Sequence, residues 1–193
     1  EGERVLDLCA GAGGKTTHLA VLMANRGEIV AADLQQAKLA VLESTARRWG
    51  VSTVQTAVAD ATDPQQTAAL GTFDRVLVDA PCSGLGTLRR NPEIRWHLTE
   101  RKLAGMPPLQ GRILENAAAC VKSAGVLLYS TCSVMPEEND GVVAAFLENH
   151  PDFSPARAEA NVPRGVIDGQ GFFRTLPHRH GTDGFFGALL ARR

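Results

Sequence analysis

Six short runs rich in apolar and β-branched residues punctuate the chain, and the segments between several of them carry helical spacing. The runs are Arg4 to Leu8, Glu28 to Ala32, Ser52 to Val58, Phe73 to Val78, Gly125 to Thr131 and Gly184 to Ala191. Between them Leu39, Leu42, Ala46 and Trp49 recur at helical spacing, as do Ile113, Leu114, Ala117, Ala118 and Val121. Such stripes predict helices that face a core. Strands alternating with helices predict βαβ units, hence an α/β fold with a mainly parallel sheet covered by helices on both faces. At 193 residues the chain suits one domain, 1–193, with a substantial core. Pro107-Pro108 is expected to split the segment between Thr99 and Ser123 in two, because a proline disfavours helix at the residue before it. The stretch from Pro151 to His180, rich in Pro, Gly and Arg, reads as a long excursion before the last strand.

A net charge of −1 excludes the global basic field that drives nonspecific binding to nucleic acid, so any RNA contact must be local. No apolar run approaches the roughly 18 residues of a membrane helix and no signal peptide is visible, which makes a cytoplasmic protein the expectation. The first residue is Glu1, just ahead of a strand signal, and the chain is expected to be a piece of a longer protein. The four cysteines, Cys9, Cys82, Cys120 and Cys132, show no C-x-x-C spacing and are too sparse for a disulfide scaffold. His178 and His180 have no partnering cysteine pattern and read as loop residues. No metal is expected, while a cysteine nucleophile stays open.

The first strand runs into a glycine turn and then a helix: Cys9-Ala10-Gly11-Ala12-Gly13-Gly14-Lys15-Thr16. A phosphate-binding loop, G-x-x-x-x-G-K-[ST], matches at Gly14-Lys15-Thr16 and fails where Cys9 replaces its first glycine. The dinucleotide pattern G-x-G-x-x-G fails as well, since its third glycine would be Thr16. A third possibility is the glycine loop of enzymes that use S-adenosylmethionine.

In a doubly wound sheet ligands bind beyond the carboxyl ends of the strands. Asp33 ends the second run, where a carboxylate can bond both ribose hydroxyls of an adenosine; otherwise it caps a helix starting near Gln35. Asp60 ends the third, placed to meet an adenine amino group. Asp79 ends the fourth, and Cys132 with Ser133 follows the fifth. A nucleotide hydrolase, with Lys15 on phosphate and Thr16 and Asp79 on magnesium, explains part of this pattern. It leaves unexplained Asp33, the missing loop glycine and the cysteines after strands four and five. A methyltransferase accounts for all of them.

From Val78-Asp79-Ala80-Pro81-Cys82-Ser83-Gly84 through Trp96, and again at Tyr129-Ser130-Thr131-Cys132-Ser133 through Asn139, the chain resembles the RNA (cytosine-5) methyltransferase family. The likeness runs from the first strand to Asp183-Gly184-Phe185-Phe186. That family's loop usually reads C-A-A-P-G-G-K-T, so Gly11 and Ala12 depart from it. The resemblance implies a Rossmann-like domain with an antiparallel C-terminal strand, lacking the family's N-terminal RNA-recognition region. It implies S-adenosyl-L-methionine as cofactor, contacted by Cys9, Ala10, Gly11, Ala12, Gly13, Gly14, Lys15, Asp33, Asp60 and Asp79. Cys132 is then the nucleophile and Cys82 assists release. In DNA cytosine methyltransferases a Pro-Cys pair carries the nucleophile, which would instead make Cys82 the attacker; the Thr-Cys motif favours Cys132. The substrate implied is RNA, ribosomal or transfer, for a monomeric enzyme. The Cys132 thiol is expected to be depressed through nearby donors or positive charge, with Lys15 as a candidate. Arg89, Arg90, Arg95 and Trp96 form a dense basic and aromatic cluster suited to phosphates and an unstacked base, unless Trp96 packs inward. Glu137, Glu138 and Asn139 are expected to open a helix reaching about Asn149, where acids suit the dipole.

Overall fold

The computed structural model describes residues 2–157, 162–163 and 165–193. Among them, β1 (Arg4–Asp7), β2 (Glu28–Asp33), β3 (Val54–Val58), β4 (Phe73–Asp79), β5 (Val121–Thr131), β6 (Phe153–Pro155), β7 (Phe173–Thr175) and β8 (Phe185–Arg192) form one sheet. Its order is β3-β2-β1-β4-β5-β8-β6, with β7 also paired to β8. The strands from β3 to β5 are parallel. β8 runs antiparallel to β5, as the resemblance implies, and β6 and β7 join β8 antiparallel. The helices are α1 (Gly14–Leu22), α2 (Gln36–Arg48), α3 (Pro64–Ala69), α4 (Ile94–His97), α5 (Glu100–Ala119), α6 (Asp140–Asn149) and α7 (Pro177–His180).

Alternation along the central strands explains why helices cover both faces. Val5 and Ile29 pack with Ala20 and Met23 of the α1 segment, and Ala31 packs with Leu39 and Leu42 of α2. The alternate residues Leu6, Val30 and Ala32 join Ile113, Leu114 and Ala117 of α5 and Val142, Val143 and Phe146 of α6 in the main core. Strand order reverses at β1 and β4, so the turns after these strands flank a crevice.

Four expectations need correction. α5 is continuous through Pro107 and Pro108. Thr99 accepts a bond from the Lys102 amide (3.3 Å) at its start, and the buried Gln110, Ile113, Leu114, Ala117 and Ala118 anchor its second half, so packing overrides the local penalty. Trp49 is 59% exposed, because it lies past the last turn of α2 and off the buried stripe. Val121 is buried but belongs to β5, which starts four residues ahead of the expected Gly125; a register shift opposite Phe73 and Arg75 and a positive φ at Ala124 mark the irregularity that joins the two parts. The excursion before β8 holds β6, β7 and α7.

A close backbone contact joins the turn after β4 to the end of β5. Gly86 donates to the Cys132 carbonyl (2.9 Å) and accepts from the Gly184 amide (2.8 Å). A Cβ there would stand 2.0 Å from the Gly184 oxygen and 2.7 Å from the Cys132 oxygen, so backbone would have to move. Gly86→Ala is expected to lower the unfolding free energy by about 1–3 kcal/mol in a urea titration. Gly105→Ala, in α5 with open space around its Cβ position, is expected to raise it by roughly 0.5–1 kcal/mol.

Candidate active site

The loop after β1 is shaped by its glycines. Gly13 adopts φ 87°, and a Cβ there would overlap Leu42 at 2.1 Å, so α2 can close over the turn only with glycine at this position. The Gly11 amide donates to Asp33 Oδ2 (2.9 Å), while Asp33 Oδ1 accepts from the Gln35 amide (2.8 Å). Asp60 Oδ1 accepts from the amide and hydroxyl of Thr62 (2.8 and 2.7 Å). Both acids line a cleft of about 390 Å³ with Gly11 and the apolar Leu34, Ala59, Leu109 and Ile113. A neighbouring cavity of about 290 Å³ is lined by Asp7, Cys9, Ala10, Gly14, Lys15 and Asp79. The two share Cys9 and Asp79. Ala12 sits exposed at the loop tip. A third cleft, about 340 Å³ between α5 and α6, involves none of the expected site residues.

Thr16 is fully buried and donates to Asp7 Oδ2 (2.7 Å), and Lys15 pairs with Asp79 Oδ2 at 2.5 Å. Side chains that a hydrolase would direct at magnesium and phosphate are bonded to carboxylates instead. Asp79 also accepts from the Ser130 hydroxyl (2.9 Å). Asp7 is a site residue that sequence reasoning passed over. Its Oδ1 is buried with no partner, and burial raises its pKa to about 6, against the bond from Thr16. The signal that could have found it is its place at the end of a strand, shared with Asp33 and Asp79.

β4 and β5 bring Cys82 and Cys132 together, with their sulfurs 3.3 Å apart. Donation from the Cys82 thiol is the main cause that draws the Cys132 pKa down to about 7, against burial and the Asp79 carboxylate. Lys15 helps only as a lesser charge, because its ammonium is paired with Asp79. Of the two kinds of cause expected, the nearby donor outweighs the positive charge of Lys15. The same hydrogen bond, together with burial, raises Cys82. Cys9 is pushed up to about 12 by burial and by Asp7, Asp33 and Asp79, which suits a structural thiol. Cys120 is buried, 3.4 Å from the Thr67 carbonyl.

Beyond Cys82, Arg89, Arg90 and Arg95 are exposed. Trp96 is 76% exposed, with the Arg95 guanidinium 5.3 Å from its ring centroid; it does not pack inward. Arg90 pairs with Asp183. His180 accepts from the Leu176 amide (2.9 Å) within α7, and no cluster of metal ligands is found among the described residues. No described helix is long and apolar enough to cross a membrane. Glu138 does not open the helix as expected: it lies buried in a short 3₁₀ turn ahead of α6.

A family profile described as "16S rRNA methyltransferase RsmB/F" matches residues 1–191. The chain belongs to this family. It is 41% identical over 192 residues to a probable ribosomal RNA small subunit methyltransferase B of Synechocystis sp., covering 98% of this chain and 43% of that protein. The similarity to the probable methyltransferase B of Bacillus subtilis strain 168 is also 41%, over 95% of this chain and 42% of the relative. The crystal structure of NSun6 from Pyrococcus horikoshii with SFG superposes with a TM-score of 0.86 at 31% identity, over 98% of this chain and 48% of that one. The chain thus spans less than half the length of these relatives.

Within this RsmB/F chain, Asp7 makes a prediction about stability. Its folded pKa of about 6 exceeds the ordinary 3.8, so between these values the folded chain keeps a proton that the unfolded chain has released. Its contribution to stability is full below about pH 4 and is lost as pH rises through about 6, by up to about 3 kcal/mol. Denaturation of the wild type and Asp7→Asn across pH 4–7 should show this downward slope in the wild type and its loss in the variant.

Proposed function

We propose that residues 1–193 are the catalytic domain of an enzyme that transfers a methyl group from S-adenosyl-L-methionine to C5 of a cytosine in ribosomal RNA. The observation that carries this reading is the 3.3 Å contact of two thiols beside the Lys15–Asp79 pair. The cofactor fits the residues present. Asp33 and Asp60, with apolar walls between them, suit a ribose and an adenine, and the unpartnered buried oxygen of Asp7 suits an ammonium. The similarity to a structure holding SFG, an S-adenosylmethionine analogue, supports the same choice. When bound, that cofactor supplies an electrophilic methyl group.

The protein must make the weakly nucleophilic C5 of cytosine reactive. Addition of the Cys132 thiolate to C6 turns C5 into an enamine-like carbon, and covalent catalysis divides the barrier. Asp79, held by Lys15 and Ser130, is the group assigned to bond N3 and relay to it the Lys15 ammonium proton as Cys132 adds, the proton returning when the C6–S bond breaks. After methylation the C5 proton leaves, the C6–S bond breaks, and its electron pair returns to Cys132. Cys82 is the base for that step. Its proton is held chiefly by the bond to Cys132; adduct formation makes Cys132 a neutral thioether, removes that hold and lets the Cys82 proton pass to solvent before the C5 proton is taken. Arg89, Arg90, Arg95 and Trp96 offer phosphate contacts and a stacking face to an unstacked strand.

Two experiments test this. Calorimetric titration with S-adenosylhomocysteine should show binding that Asp33→Ala or Asp7→Asn weakens about tenfold or more, and ATP with magnesium should give no heat; the reverse result would mean a phosphate loop. With RNA containing 5-fluorocytosine, the wild type should form a covalent adduct and Cys132→Ala none, while Cys82→Ala should accumulate adduct even on ordinary cytosine. Loss of adduct in Cys82→Ala with retention in Cys132→Ala would exchange the two roles.

A further inference from the structure

Both neighbours of both cysteines are tied to one buried network. Glu138, 1% exposed, accepts at Oε1 from the hydroxyls of Ser83 (2.5 Å) and Ser133 (2.6 Å). Its Oε2 accepts from the Ser83 amide (2.8 Å) and from Gln110 Nε2 (2.9 Å). Gln110 Nε2 also donates to the Pro81 carbonyl (3.0 Å). Asn139 accepts from the Thr131 hydroxyl (2.6 Å) and donates to the Ser133 carbonyl (3.0 Å). Pro81 and Ser83 flank Cys82, and Thr131 and Ser133 flank Cys132. The 3₁₀ turn that carries Glu138 is itself held by the Tyr129 hydroxyl on the Glu138 carbonyl (2.7 Å).

We infer that Glu138 and Asn139, aided by Gln110, are positioning residues that fix the separation of Cys82 and Cys132; the inference rests on the catalytic reading of that pair. The network touches neither sulfur, and it acts on the two loops that carry them. A buried carboxylate is retained only where donors offset its lost hydration, and here three of the four donors belong to the residues that follow the cysteines. The two loops leave different strands, so nothing local in either one sets the gap between the sulfurs. Without the carboxylate the loops keep the Gly86–Cys132 backbone bond and the Ser83–Ser133 contact but lose the acceptor that fixes the residue after each cysteine. Cys132 then loses the donor that stabilises its thiolate, and its reactivity reverts toward that of an ordinary thiol.

The test reads this directly. Iodoacetamide alkylation of Cys132, followed by peptide mass spectrometry from pH 5 to 10, should give a midpoint near 7 in the wild type. In Glu138→Ala the midpoint should move toward that of a free thiol, about 8.5, with a rate at pH 7 lower by about tenfold or more. Glu138→Gln, whose amide can still bond the two reversible hydroxyls, should stay within about threefold of wild type. Thermal melts show which variants fold. If Glu138→Ala does not, Asn139→Ala decides by the same measurement. A folded Glu138→Ala, or Asn139→Ala in its place, with a wild-type midpoint overturns the inference. A wild type with no low-pH alkylation and no adduct with 5-fluorocytosine RNA instead overturns the catalytic reading on which it rests.

Discussion

The register of β4 against β5, with Asp79 opposite Ser130, determines what can meet at the edge of this sheet. Parallel neighbours send their carboxyl ends the same way, so the residues after the two strands emerge side by side. Two residues past Ser130 and three past Asp79, the chain supplies Cys132 and Cys82. A shift of one residue in this pairing would turn one cysteine to the other face of the sheet. The Ser130 hydroxyl on Asp79, the Gly86 amide on the Cys132 carbonyl and the Ser83–Ser133 hydroxyl contact (3.1 Å) all cross the same seam.

Charge around the crevice answers what its glycine loop can hold. Asp7, Asp33, Asp60 and Asp79 line the two joined cavities, against Lys15 and Lys38. Lys15 is spent on Asp79, and the amide of Gly11 is spent on Asp33. A triphosphate would meet carboxylates where it needs cations, whereas a ligand carrying a sulfonium and an ammonium meets complementary charge. Burial of Asp7 lowers the stability of the fold as pH rises through about 6, a cost characteristic of binding sites.

Much of the fold was legible because the signals are local. Apolar runs marked five strands of the sheet's path from β1 to β5 and the closing β8, and the acid or cysteine just past a run located the crevice. The rest depends on contacts distant in sequence. Three-residue strands such as β6 and β7 have no period of their own and exist because β8 offers them an edge. Pro107 and Pro108 predict a break by local rules, and the buried face of α5 overrules them. Glu138 reads as a helix-start acid in its own segment; only the folded chain brings Ser83, 55 residues away, against it. A depressed Cys132 thiol was anticipated from nearby donors or positive charge; that the donor is Cys82 and that it outweighs Lys15 appears only in three dimensions, where Lys15 is paired with Asp79.

The segment before β8 is bound to the two cysteine-bearing loops more closely than its irregular sequence implies. Gly184 begins the return into β8 and donates to Gly86, which in turn holds the Cys132 carbonyl. Asp183, next to it, is buried and pairs with Arg90 from the turn after Cys82. The Thr175 hydroxyl at the end of β7 donates to the Asp183 carbonyl (2.7 Å) and accepts from the Phe185 amide (2.9 Å). Docking of β7 on β8 thus stabilises the backbone against which both cysteine loops rest. Glu138 and Asn139 hold these loops from the α6 side, and Gly184 holds them through Gly86. The gap between the two sulfurs is therefore a property of the tertiary fold, which is why no single loop sequence encodes it.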